Sequence, residues 1–200
     1  ACNVLREMND SPHLLHMVSH IDVLLGDYES AVIWNQLAIE ADYKTMKVAK
    51  ETTHGSSFFL GYIAHDFHMK VYSALMGGFE KQATNAAKEI LNVVQVKHLR
   101  ENPLLLIGCE AFLPLNIHCL IRFGRWDDIL ETVQPISKNS EESLCVTAAT
   151  IRLGRSLAFA AKGNYLAAVS EMEKFEELRS VVSKNLRFLH NNNLSDILEV

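Results

Sequence analysis

Apolar residues recur along the chain three and four positions apart, and nowhere does strict alternation run long enough to read as a strand. That spacing is the period of a helix burying one stripe, so the pattern predicts an all-α protein. Leu14, Leu15, Val18, Ile21, Leu24 and Leu25 mark a first helix, with Pro12 suited to its first turn and Asp10 or Ser11 to its cap. Gly26-Asp27 interrupts the pattern, and Val32, Ile33, Trp34, Leu37, Ala38 and Ile39 resume it in a helix expected to reach about residue 49. A break at Thr52-Thr-His-Gly55 leads to helices at about 58–76 and 79–97, then 104–123 and 126–133, then 142–162 and 164–183. The elements fall into about four antiparallel pairs, 12–49, 58–97, 104–133 and 142–183, within one segment spanning 1–200.

The breaks between paired helices repeat. Gly26-Asp-Tyr28-Glu-Ser-Ala31, Gly78-Phe79, Gly124-Arg-Trp126-Asp-Asp-Ile129 and Gly163-Asn-Tyr165-Leu-Ala-Ala168 each place an aromatic within two residues of a glycine. In most, a small or aliphatic residue follows three later, which lets two helices approach closely. This turn resembles that of the tetratricopeptide repeat (TPR): glycine, any residue, aromatic, alanine three on, and a second alanine seven further, a spacing that Ala31 and Ala38 have here. Successive glycines lie 52, 46 and 39 residues apart, longer than the strict repeat of about 34. The resemblance is therefore to a TPR-like architecture with longer helices or loops, and it implies a curved α-solenoid whose concave groove takes a protein or peptide partner. Pro12-His-x-x-His16-Met17-x-Ser19-His20-Ile21 and Arg122-Phe-Gly-Arg-Trp-Asp127 also resemble segments of a group of larger TPR proteins of bacteria and some eukaryotes. That likeness implies a fragment of a longer array and brings no catalytic residues with it. Leu194–Val200, an amphipathic pattern cut off after two turns, agrees with it.

Composition narrows the chemistry. With 200 residues, 48% of them hydrophobic, the chain can build a core without disulfides. A formal net charge of −5 leaves no basic stripe to neutralise phosphates, which argues against a nucleic-acid partner. Lys44, Lys47 and Lys50 read as a solvated helix face, as do Glu171, Glu173, Lys174, Glu176, Glu177 and Arg179. Cys2, Cys109, Cys119 and Cys145 show no CxxC spacing and read as reduced thiols, which favours a reducing, cytoplasmic setting. No apolar run is long enough for a membrane span.

Candidate chemistry lies in the nine histidines, six of which fall into register when the glycine-terminated helices are overlaid. His13 matches His65, His16 matches His68, Met17 matches Met69, and His20 matches both Tyr72 and His118. On one helix His13, His16 and His20 share a face, at about 100° per residue. Imidazoles meeting from adjacent helices can bind zinc, copper or iron. The expected centre is His16, His20, His68 and His118, with His13 and His65 at its rim and Met17, Met69, Tyr72 and Glu110 lining the groove. Asp66 follows His65 but points about 100° away around the helix, which makes Glu110 the acid expected to approach the cluster. His98 and His190 have no register partner. Two functions stay open: a binding scaffold with a histidine cluster that holds metal or peptide, and a metal-dependent enzyme or storage protein using the same cluster. GxSxG, Walker and dinucleotide fingerprints are absent.

Overall fold

A computed structural model describes residues 5–7, 11–52, 57–94, 109–136 and 144–181. All regular structure among them is helical, and within each half of the chain the helices pack in chain order. They are α1 (Pro12–Leu25), α2 (Tyr28–Thr52), α3 (Ser57–Gly77), α4 (Glu80–Val93), α5 (Leu115–Arg122), α6 (Trp126–Thr132), α7 (Cys145–Ala161) and α8 (Tyr165–Val181), with a short 3-10 turn at Glu110–Phe112 before α5. The chain divides into two compact units, Ala1–Gln95 and Val96–Val200. Among the described residues no helix is long and apolar enough to cross a membrane.

The four glycine breaks share one geometry. Gly26, Gly78, Gly124 and Gly163 have φ of 77°, 75°, 65° and 77°, a left-handed conformation that a Cβ would strain. Beyond each glycine the next amide bonds five residues back: Asp27 to Asp22, Phe79 to Ala74, Arg125 to Leu120 and Asn164 to Phe159. Each glycine amide itself reaches back three, to Val23, Leu75, Ile121 and Ala160. This double bond is the Schellman ending, which satisfies carbonyls the helix leaves bare. Ala31, Ile129 and Ala168, three residues past the turn aromatics, are buried. Tyr28, Phe79 and Trp126 are half-buried, whereas Tyr165, read from sequence as a corner plug, is 71% exposed in the first turn of α8.

One expected helix is broken. The apolar pattern at 104–123 predicts a continuous helix, but α5 starts only at Leu115. Pro114 carries no N–H and its ring crowds the preceding turn, so it starts a helix instead of continuing one. Its carbonyl accepts from the amides of Ile117 and His118. Residues 104–108 and 142–143, the loop around His54, His98, and everything from 182 onward, including His190 and Leu194–Val200, lie outside the described residues.

In the first unit Leu15, Ala38 and Ala41 pack together under Trp34. Ala83, Ala86, Ala87 and Ile90 give α4 a fully buried stripe. In the second unit Cys145, Val146, Ala149 and Phe175 join α7 to α8, while Leu120, Ile129 and Ala158 join α5, α6 and α7. Gly154 on α7 admits α5 closely, since a Cβ there would lie 2.8 Å from Ile117 Cγ2.

Candidate metal centre

α1 presents His13, His16 and His20 toward α3, which brings His65 and His68. His16 sits where α1, α2 and α3 meet and is fully buried, with 0% of its surface exposed. Its Nδ1 lies 2.8 Å from Asn35 Oδ1 on α2 and 3.1 Å from Asp66 Oδ1 on α3. The Asn35 amide is oriented by its own Nδ2, which donates to the Ala31 carbonyl at 2.8 Å, so its oxygen is the atom that meets His16. An oxygen facing Nδ1 accepts, and the ring proton therefore belongs on Nδ1. That leaves the lone pair on Nε2, which faces His20 Nε2 at 2.9 Å.

His65 closes the group. Its ring centroid lies 4.5 Å from that of His16 and 6.1 Å from that of His20. One ring nitrogen from each of His16, His20 and His65 falls within 4.8 Å of the others. A tetrahedral zinc with bonds of about 2.0–2.1 Å would set its nitrogens about 3.3 Å apart. The close His16–His20 pair must open slightly and His65 swing inward, motions open to His20 and His65, which are half-exposed. Burial, the largest cause, drives His16 down to about 4 against the raising effect of Asn35, with the neighbouring histidines adding to the fall. Burial and His13 lower His20 as well. At neutral pH both rings are uncharged, the form that binds a metal.

The other expected residues scatter. His13 is exposed, stacks on His16 at 5.7 Å between centroids, and meets the Tyr62 ring edge-on at 5.2 Å. His68 lies further along α3, 6.4 Å from His65 between centroids, so His65 and not His68 joins the three-nitrogen group. The register of the overlay had exchanged them because it aligned α1 and α3 by their C-termini, whereas packing sets α3 so that His65 meets α1. His118 is an exposed residue of α5, in the second unit. Met17 and Tyr72 are exposed, whereas Met69 is buried.

Glu110, expected to approach the cluster, has another role. It belongs to the second unit, where its carboxylate accepts the Thr147 amide at 2.6 Å and its carbonyl accepts the Thr147 hydroxyl at 3.3 Å. It thus caps the first turn of α7, where bare amides favour an acid. Glu171, read as part of a solvated face, is also buried: Arg152 Nη1 lies 2.9 Å and Arg155 Nε 3.3 Å from its oxygens. Helix periodicity alone did not show that α7 lies against it. Cys109, Cys119 and Cys145 are free and buried, with thiols pushed up by burial to about 11, 12 and 11.

The acid that does reach the cluster is Asp66, buried and faced from α2 by a second buried acid, Asp42. Burial raises both, and their mutual repulsion raises Asp66 further, so Asp66 keeps its proton at neutral pH. The sequence had set Asp66 aside for pointing about 100° from His65. That angle is what lets one helix turn offer His65 to one side of the His16 ring and Asp66 to the other. A buried residue of α2, Asn35, carried no histidine-register signal and was missed. Comparison of the chain with models of known families, with curated proteins and with solved structures returned no match.

Proposed function

We propose that this chain is a TPR-like binding scaffold whose first unit carries a transition-metal site, with His16, His20 and His65 as ligands. The observation that carries the reading is the meeting of three ring nitrogens within 4.8 Å, one of them on a buried ring. Imidazoles alone suit borderline divalent ions such as zinc or copper(II), and iron(II) less well. The described cysteines, Cys109, Cys119 and Cys145, belong to the second unit. A protein or peptide partner would lie over the same face, where exposed Met17, Tyr62 and Tyr72 flank the histidines. The repeated Schellman turns support the solenoid part of the reading, because a recurrent two-residue corner is how a TPR-like stack is built.

Three protein ligands leave one position for water or a partner's side chain, and this favours a second reading, a metal-dependent enzyme, over a closed structural site. Metal analysis of untagged protein separates a scaffold without metal from both. Thermal unfolding at pH 7.5 with zinc, copper or chelator then tests the ligands. The parent should gain stability with metal, and His20→Ala and His65→Ala should lose that response. A parent indifferent to metal would return the histidines to packing or peptide recognition.

A further inference from the structure

We infer that Asn35 and Asp66 are positioning residues that hold the His16 proton on Nδ1 and so aim a fixed Nε2 lone pair into the site. The inference rests on the metal reading above and says what makes the least accessible ligand competent. A neutral histidine can carry its proton on either nitrogen, and only the bare one binds a metal. In His16 the choice is made before any ion arrives. Asn35 Oδ1 and Asp66 Oδ1 both face Nδ1, at 2.8 and 3.1 Å, from two different helices. Asn35 cannot turn its amide group over without losing the bond from its Nδ2 to the Ala31 carbonyl.

The alternative tautomer would put the proton on Nε2 and donate it to His20 Nε2, 2.9 Å away. It would then leave the Nδ1 lone pair against the Asn35 amide oxygen in a site with no exposed surface, a repulsive contact that water cannot relieve. Asp66 Oδ1 lies 3.1 Å from Nδ1 without a hydrogen bond of good geometry, so its oxygen stands beside the Asn35 bond as a second place for the same proton. The Nδ1 brace raises the basicity of the opposite nitrogen and fixes the ring plane, the two ways in which outer-shell oxygens tune a histidine ligand.

The test reads the tautomer and the metal separately. Nitrogen-15 NMR of metal-free parent should show His16 protonated at Nδ1 and bare at Nε2. Asn35→Leu and Asp66→Leu should populate the other tautomer and weaken zinc binding, read by titration calorimetry, by about tenfold to a hundredfold. Asp66→Asn, which keeps an oxygen at the same place, should restore both. A parent His16 protonated at Nε2 overturns the inference, and this measurement needs no variant to fold. Zinc affinity unchanged in both leucine variants also overturns it while leaving the metal reading intact. A parent that binds no zinc ends the metal reading and the inference with it.

Discussion

Asp66 in the first unit and Glu110 in the second are buried almost equally, at 1% and 2% exposure, yet they live in opposite conditions. Glu110 accepts the Thr147 amide and closes the start of α7. Glu171, also buried among the described residues of that unit, is held by two arginines. Asp66 meets another carboxyl and a histidine ring, and neither of its oxygens receives a hydrogen bond of good geometry. Burying a polar group without full partners costs about 1–3 kcal/mol. The second unit spends its buried acids on holding helices together, whereas the first tolerates a poorly satisfied polar cluster in the middle of its core. Such a cost is what a binding site leaves behind when its geometry serves something other than folding.

The largest expected difference between the units is their response to metal. Zinc at a hundredfold excess over its Kd should stabilise the folded state by about 2.7 kcal/mol. Hydrogen exchange should localise the added protection to α1–α3, with α7 and α8 unmoved. Equal protection throughout both units would break the comparison.

Next in size, Glu110→Ala should cost about 2 kcal/mol in denaturant unfolding, because the Thr147 amide it caps is left buried and bare. The matching change in the first unit, Asp66→Leu, should stay within about 1 kcal/mol of the parent at pH 7, since removing an under-partnered polar group forfeits little. Equal losses would mean that Asp66 is as structural as Glu110.

A pH series sharpens the same contrast. Asp66 holds its proton in the folded state above its unfolded value, so its contribution is present at low pH and is lost as pH rises toward its raised folded value. His16, lowered to about 4, works in the other sense: its contribution falls as pH drops from about 6.5 toward 4 and is complete above that range. Between about pH 6.5 and 8 the histidine effect is therefore flat and the Asp66 effect remains. Stability of the parent relative to Asp66→Asn should decline across that window. A constant difference would place the Asp66 proton elsewhere.

The smallest effect should be common to both units. Gly26→Ala and Gly124→Ala each force a side chain into a left-handed turn and should each cost about 1 kcal/mol. Unequal costs would show that the shared turn geometry conceals different packing.

Much of the fold was legible along the chain because its signals are local. The four left-handed turns needed glycine, and the buried stripe of α4, Ala83, Ala86, Ala87 and Ile90, repeats with the helix period. Pro114 was visible too, but the apolar pattern around it outweighed the one residue that cannot donate. The histidine face of α1 was also readable, since His13, His16 and His20 share a helix and periodicity places them together. The pairing of helices was not so readable. Whether His65 or His68 meets α1 depends on how far α3 slides along its neighbour, a distance that sequence overlay replaces with an assumption.

The sequence by itself determined the all-helical class, the glycine corners and the clustering of histidines on α1, because each depends on residues within about one or two turns of one another. Only the tertiary structure decided that Asn35 from α2 and Asp66 from α3 enclose the same nitrogen of His16, that His65 completes the group, and that Glu110 serves α7 instead. Those outcomes join residues 19, 50, 49 and 37 positions apart, where contact is settled by which helix faces fit against each other and no local periodicity records the answer.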